Sequence, residues 1–96
     1  MGMVAKYITD FGLIRDVKPK NGSTFTLEEM QGYVQGYVEV IRIGTDEIMC
    51  INEEGKFIDS CFLNKESTKI AHENNAIMES DLICGNVVIC QSKMLP

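Results

Sequence analysis

Several features that would assign a protein to a class at once are missing from this chain. It has a single histidine, His72, and its four cysteines include no Cys-x-x-Cys pair. Because a structural zinc site needs four such ligands at close spacing, the sequence predicts no metal site. It also contains no Walker loop and no Rossmann glycine fingerprint. We therefore expect no metal and no cofactor.

Long hydrophobic runs are absent as well. No apolar stretch approaches the ~20 residues that a bilayer crossing needs, and the start "MGMVAKYITD" lacks the apolar core of a signal peptide. These absences predict a cytoplasmic protein without a membrane partner. The 96 residues are 45% hydrophobic, which suits one folded domain over residues 1–96.

Positive charge is scarce. Nine lysines and arginines stand against 14 aspartates and glutamates, so the net charge is −5. A protein that binds duplex nucleic acid by neutralising many phosphates is therefore not expected. A small anionic ligand is still possible, because a lysine, an arginine and a few backbone amides are enough to hold one phosphate.

The cysteines lie among apolar neighbours, as in "IMCI" and "VVICQ". A free thiol in such surroundings behaves as a small buried hydrophobe, whereas a nucleophilic thiolate needs a base or a cationic setting. We predict free structural thiols in a reducing compartment at Cys50, Cys61, Cys84 and Cys90.

The order of elements is predicted to be β-α-β-β-β-α-β, an α+β fold with a mainly antiparallel sheet of about five strands and two short helices. The first strand spans "AKYITDFGLIRDVKP", with a break near Gly12. Thr26 and Glu29 have the spacing of a capping box, which predicts a helix that stops at Gly36. The apolar face of this helix is expected to contain Leu27, Met30 and Val34.

A meander of three strands is predicted after this helix. "YVEVIRI", "EIMCIN" and "KFIDSCF" are separated by the turns "GTD" and "EEG". Both faces of the first of these strands are expected to be at least half buried. One face holds Tyr37, Glu39, Ile41 and Ile43, and the other holds Val38, Val40 and Arg42.

The second helix is predicted to begin at an Asn64 cap and to run through "KESTKIAHEN". The last strand, "DLICGNVVICQS", is nearly continuous in apolar residues and is therefore expected to lie inside the sheet. Gly85 and Asn86 indicate a bulge or a close backbone approach in it.

In order, the segments "VKPKNG", "LEEMQGYVQGYVEVI", "INEEGKF", "NKESTKIA" and "DLICGNVVI" resemble a family of small uncharacterised proteins from phages, prophages and bacterial mobile elements. The resemblance covers residues 17 to 90. The chain departs from the family at Gln35, where glycine is frequent, and at Ser67, where alanine is usual. The resemblance implies a fold and a genomic setting more firmly than a function.

By analogy, small phage proteins of this size and build include anti-defence sponges, which sequester nucleotide immune signals such as cyclic ADP-ribose isomers or cyclic oligonucleotides. The analogy predicts a non-catalytic binder of a nucleotide-derived ligand, acting in the host bacterial cytosol. Since 96 residues leave little interior volume, its pockets are expected at the interfaces of a homo-oligomer.

The candidate ligand-binding residues are polar, charged or aromatic positions in these segments, and each also has an ordinary structural explanation such as capping, turn formation or an ion pair. Tyr33, Tyr37, Phe57 or Phe62 would stack on a base. Arg42, Lys56 and the start of the second helix would contact phosphates. The set is Tyr37, Glu39, Arg42, Asn52, Glu53, Lys56, Asn64, Thr68, Asp81 and Asn86.

Two other functions remain open from the sequence. One is a protein-interaction module that inhibits a host enzyme or defence protein through an edge strand or an acidic face. The other is hydrolysis of a signal molecule, in which Glu39 and Asp81 would divide the acid and base roles. We rank binding without catalysis first, so no catalytic residue is predicted.

Overall fold

Five strands and two α-helices make up the structure, a computed structural model that describes residues 4–55 and 61–95. Each element is short, as expected for a domain of this length. In chain order they are β1 (Ala5–Ile8), β2 (Ile14–Val17), α1 (Leu27–Val34), β3 (Val38–Arg42), β4 (Glu47–Asn52), α2 (Lys65–Glu73) and β5 (Val87–Gln91), and a 3-10 turn (Ser92–Met94) follows.

The strands form one sheet in the order β2-β1-β5-β4-β3, and every neighbouring pair is antiparallel. The predicted α+β class, with a five-stranded antiparallel sheet and two helices, is confirmed. The last strand is also interior as predicted, because β5 is the central strand and Val87–Cys90 are buried. It begins only at Val87, however, because Gly85 has a φ of +85° and turns the chain just before it.

The first predicted strand is in fact a hairpin. The Thr9 N–H donates to the Leu13 carbonyl at 2.9 Å, and Gly12, with a φ of +86°, allows the turn. The order is therefore β-β-α-β-β-α-β. The predicted third strand of the meander, residues 56–62, lies outside the described residues except for Cys61 and Phe62, which belong to no strand.

Each face of the sheet carries one hydrophobic core. Side chains alternate along β4, so Ile48 and Cys50 face α1, while Met49 and Ile51 face α2. We call these the α1-side core and the α2-side core. The α1-side core contains Ala5, Val17, Phe25, Met30, Ile48, Cys50, Val88, Cys90 and Met94. The α2-side core contains Ile8, Ile43, Met49, Ile51, Ala71, Ile83, Val87 and Ile89.

Helix α1 begins with the predicted capping box. The Thr26 side chain accepts from the Glu29 N–H, and the Glu29 carboxylate accepts from the Thr26 N–H. Met30 and Val34 are buried as expected, but Leu27 is 61% exposed, so its assignment to the apolar face was wrong. It lies in the first turn, which projects beyond the core.

Strand β3 differs from the prediction that both of its faces are at least half buried. Its alternation is correct, since Ile41 packs against the α2-side core and Val38 against the α1-side core. Val40 is 48% exposed, and Glu39 and Arg42 are exposed as well. The cause is its position at an edge of the sheet, where β4 is its only strand partner among the described residues.

The Glu29 carboxylate makes the stability depend on pH. Its two oxygens accept from the N–H groups of Thr26 and Lys20, both at 2.9 Å, and these bonds lower the pKa of Glu29. With a lowered folded-state pKa, the stabilisation is complete above the unfolded pKa and is lost as the pH falls through the folded one. Denaturant titrations should therefore show that the free energy of unfolding falls less between about pH 5 and pH 3 for Glu29→Gln than for the wild type. Glu28→Gln, in the same turn, should keep the wild-type acid dependence, and equal curves for all three proteins would contradict this account.

Gln35 ends α1 in the left-handed region, at a φ of 62°, with its N–H donating to the Gln31 carbonyl at 2.7 Å. A residue with a Cβ pays about 1 kcal/mol for this conformation, which glycine adopts freely. We expect Gln35→Gly to raise the free energy of unfolding by about 0.5–1 kcal/mol in urea titrations. As a contrast, Gly36→Ala should destabilise the fold, because its Cβ would lie 2.6 Å from Asn52 Nδ2. A loss of stability in Gln35→Gly would refute this account of the helix end.

Candidate functional site

A cleft of about 470 Å³ opens on the α2 side of the sheet, between the β3–β4 pair and the segment that connects α2 to β5. Its apolar surface includes Ile41, Ile51 and Ile83, which belong to or pack against the α2-side core. The connecting segment supplies the opposite wall, in which Ala76 and Ile77 are half buried.

Three carboxylate side chains line this cleft, and we call it the acidic cleft. Glu39 comes from β3, Glu53 from the turn after β4, and Asp81 from the connecting segment. No lysine, arginine or histidine lines it among the described residues. Such a lining presents hydrogen-bond acceptors and negative charge beside an apolar surface, so it favours a ligand that carries a positive charge next to apolar groups.

The fold therefore brings together four of the predicted residues, Glu39, Asn52, Glu53 and Asp81, at one cleft. Lys56, predicted to contact phosphate, lies outside the described residues. Tyr37 and Arg42 lie along the β3 edge, where Tyr37 is 67% exposed and Arg42 Nη1 donates to the Thr45 carbonyl at 2.8 Å. The remaining predicted residues, Asn64, Thr68 and Asn86, do not line the cleft.

Asn52 is engaged within the chain although it lines the cleft. Its Nδ2 donates to the carbonyls of Val34 and Gln35 at 3.1 and 3.2 Å, and its Oδ1 accepts from the Glu54 N–H at 2.8 Å. These bonds join the end of α1 to the end of β4. The Asn52 side chain therefore has a structural role beside the cleft. Both of its N–H donors and one acceptor position are already used.

Asn64 is 1% exposed and connects three segments. Its Oδ1 accepts from the Ser67 N–H at 3.0 Å, which caps α2 as predicted. Its Nδ2 donates to the Ile8 carbonyl at 3.0 Å and to the Gly85 carbonyl at 2.8 Å. The amide is saturated by internal bonds, so it offers no free donor at the start of α2.

Thr68 and Asn86 are likewise bonded internally. Thr68 Oγ1 accepts from the Ile83 N–H at 2.9 Å and lies 3.3 Å from the Ile83 carbonyl, to which it donates. Asn86 Oδ1 accepts from the Asp10 N–H at 3.1 Å, and its Nδ2 donates to the Tyr7 hydroxyl at 3.0 Å. Thr68 thus holds the segment before β5 against α2, and Asn86 joins that segment to β1 and the turn after it.

Sequence reasoning missed the wall of the acidic cleft and misjudged its aromatic content. Tyr33 packs against Tyr7, with ring centroids 4.9 Å apart, on the α1 side. The ring centroid of Phe62, an exposed residue, lies 6.3 Å from that of Phe11, and Phe57 lies outside the described residues. The sequence signal for this wall is the apolar content of "NNAIMESDL", residues 74–82.

His72 on α2 is half buried, and its Nε2 lies 2.9 Å from the Asp81 carbonyl. The Asp81 carboxylate accepts from the Leu82 N–H at 3.1 Å. The contact between His72 and Asp81 therefore joins α2 to the wall of the acidic cleft.

Together the fold and the cleft define a small α+β domain, in which two helices cover opposite faces of an antiparallel sheet and a cleft opens beside one edge strand. A family model described as Domain of unknown function (DUF3846) matches residues 9–94, so the chain belongs to that family. The resemblance to a family without an assigned function is confirmed at this level. A search of curated proteins and a search of solved structures found no significant match.

Within the described ranges, no helix has both the length and the apolar character needed to cross a membrane. The same residues contain no group of three or more histidine, cysteine, aspartate or glutamate side chains arranged to hold a metal ion.

The internal bonds of Asn64 predict a structural role that mutation can measure. Asn64→Ala removes the cap of α2 and leaves two buried carbonyls without donors, so it should lower the free energy of unfolding by about 2–4 kcal/mol. Asn64→Asp keeps the cap but turns a carboxylate oxygen toward the carbonyls of Ile8 and Gly85, and should cost at least as much at neutral pH. Asn74→Ala, at the exposed C-terminal cap of the same helix, should cost less than about 1 kcal/mol in the same denaturant titrations. Near-equal losses for Asn64→Ala and Asn74→Ala would argue against this role.

Proposed function

We propose that the protein is a non-catalytic protein-binding module that takes an extended, basic segment of a partner along the β3 edge, with a cationic side chain reaching the acidic cleft. The observation that carries the proposal is the position of β3, an edge strand that also supplies Glu39 and Ile41 to the cleft. Strand addition at a sheet edge gives affinity through backbone hydrogen bonds and specificity through pockets for alternate side chains.

The directions in which the backbone N–H and C=O groups of β3 point support this mode of binding. The Tyr37 carbonyl accepts from the Glu53 N–H at 2.8 Å, and the Ile43 N–H donates to the Glu47 carbonyl at 3.0 Å. In an antiparallel pair the bonding direction alternates, so odd-numbered residues bond to β4 and even-numbered residues point outward. The outward backbone groups are those of Val38, Val40 and Arg42.

The side chains at this edge add apolar area. Tyr37 and Val40 are 67% and 48% exposed, and Val38 and Ile41 are half buried. A strand laid beside β3 would cover part of each of them and remove apolar surface from water. No strand among the described residues pairs with the outer side of β3, and proteins usually avoid exposed apolar residues along such an edge unless the edge is used.

The charge of the cleft supports a basic ligand over an anionic one. Glu39 and Glu53 line the cleft, no described residue there is cationic, and the whole chain carries a net charge of −5. A lysine or arginine from the partner would be attracted by the cleft, whereas a phosphate would be repelled. The predicted contacts of Arg42 and Asn64 with phosphate gain no support, since these side chains bond to carbonyls of the chain.

Nucleotide-signal sequestration in a homo-oligomer therefore stays a prediction from the sequence, as does hydrolysis by Glu39 and Asp81. The family resemblance to phage and mobile-element proteins adds the proposal that the partner is a protein of the bacterial host, met in its cytoplasm. A module of this kind would inhibit that partner by covering its basic segment.

The test is selection of binding peptides from a random library of extended sequences, followed by affinity measurement with fluorescence anisotropy. Selected peptides should contain lysine or arginine at a fixed position. The double variant Glu39→Gln with Glu53→Gln should weaken their binding about fivefold and reduce its dependence on salt. Glu28→Gln, on the opposite face of the sheet, should leave binding within about twofold.

A separate variant tests the contribution of backbone hydrogen bonds to peptide binding. Val40→Pro removes an outward N–H that β4 does not use, so the fold should survive, as checked by circular dichroism, while peptide binding is lost. If nucleotides from a panel of cyclic dinucleotides and ADP-ribose isomers raise the melting temperature while no basic peptide binds, the proposal is wrong and the sequence prediction of a nucleotide binder gains instead.

A further inference from the structure

The four cysteines form two thiol pairs with different surroundings. The thiols of Cys50 and Cys90 are neighbours inside the α1-side core, where the two residues are 0% and 3% exposed. Cys61 and Cys84 are also in thiol contact, but each is only partly buried, and Cys84 lines the acidic cleft. Two thiols in contact can be oxidised to a disulfide if their backbones allow the bond and if an oxidant can reach them.

Backbone contacts place Cys61 and Cys84 on the same side of a short antiparallel crossing. Leu63 and Cys84 form an isolated antiparallel bridge, and the Gly85 N–H donates to the Phe62 carbonyl at 2.8 Å. Since side chains alternate along an extended chain, Cys61 lies on the same side as Leu63 and therefore as Cys84.

Glycine leaves the room that this contact needs. A Cβ added at Gly85 would lie 3.3 Å from Cys61 Sγ, and one added at Gly55 would lie 3.7 Å from it. The Cys61 thiol thus sits over two residues without side chains. The crossing holds only one bridge and is not part of the five-stranded sheet, so a small backbone adjustment there breaks no ladder of hydrogen bonds.

The buried pair lacks this freedom. The register between β4 and β5 pairs Cys50 with Val88 and Ile48 with Cys90, so the two cysteines are diagonal neighbours in a continuous ladder. Cys61 and Cys84 are diagonal neighbours as well, but their crossing is a single bridge that can adjust, whereas drawing Cys50 and Cys90 to the Cβ separation of about 4 Å that a disulfide needs would distort the β4–β5 ladder. The Cys90 thiol and burial raise the pKa of Cys50, which keeps it protonated and inert.

We propose that Cys61 and Cys84 form a reversible disulfide when the protein meets a small-molecule disulfide such as oxidised glutathione, while Cys50 and Cys90 stay thiols. One protein thiolate attacks the small disulfide, forms a mixed disulfide and releases one small thiolate. The second protein thiolate then attacks the protein sulfur of that intermediate, closes the Cys61–Cys84 bond and releases the second small thiolate. Two protein thiols are oxidised and one small disulfide is reduced to two thiols, so atoms and electrons balance.

The bond would close residues 61–84 into a loop that contains α2 and most of the connecting wall of the acidic cleft. Closing a loop of this length restricts the unfolded chain and so raises the melting temperature. Burial, with the Cys84 thiol beside it, raises the pKa of Cys61 to about 11. Because the thiolate is the attacking species, exchange at Cys61 is expected to be slow at neutral pH and faster as the pH rises. The inference does not depend on the proposed function.

The experiment incubates the full chain with oxidised glutathione at about pH 8.5 and quenches with acid. Intact mass spectrometry should show loss of two hydrogen atoms, and peptide mapping should place the bond between Cys61 and Cys84. Alkylation after denaturation should find Cys50 and Cys90 free. The melting temperature should rise by about 5 °C or more and return on reduction with dithiothreitol.

Cys61→Ser and Cys84→Ser are the matched variants, since each removes one half-buried thiol and leaves the α1-side core intact. Neither should form an intramolecular disulfide or gain melting temperature on oxidation. The proposal is overturned if the wild type stays fully reduced, if the bond maps to another pair, or if only disulfide-linked dimers form.

Discussion

The structure depends most on the buried amide of Asn64. Its hydrogen bonds join the end of β1, the start of α2 and the carbonyl of Gly85, segments that lie up to 56 residues apart in sequence. Gly85 comes two residues before β5, so the same side chain fixes where the central strand and the second helix begin. Helix α2 buries little apolar area beyond Ala71 and Ile70. Its position is therefore held by polar contacts whose loss would leave buried groups unpaired.

Local patterns could be predicted from the sequence because their causes are local. The capping box of α1 needs only Thr26 and Glu29, and the alternation of β3 needs only its own residues. The hairpin before Pro19 and the edge position of β3 could not be predicted in the same way, since both depend on which strands pair across the chain. The backbone conformation of Gln35 could not be predicted either. Its φ is positive although it is not glycine, and its residue type does not indicate this.

The same limit applies to the candidate site. Carboxylates at Glu39 and Glu53 were recognisable as candidates because charge beside buried strands needs an explanation, and the cleft does bring them together. Asparagine gives no such guidance, because an amide that binds a ligand and an amide that saturates its own backbone look alike in sequence. Asn52 and Asn64 make internal bonds at every donor, which is decided by residues far away in the chain.

The two edges of the sheet are not equivalent, and the difference supports β3 as the proposed docking edge. Strand β2 is four residues long and is followed closely by Pro19, which has no N–H to offer. Its charged residues are already committed to β1, since Asp16 pairs with Lys6 and Arg15 lies 5.3 Å from the Tyr7 ring. A partner strand at β2 would meet the exposed side chain of Ile14 but charges that are already satisfied. At β3 it would meet outward backbone groups, exposed apolar side chains and the carboxylates of the acidic cleft, so each term of the interaction favours the same extended, basic segment.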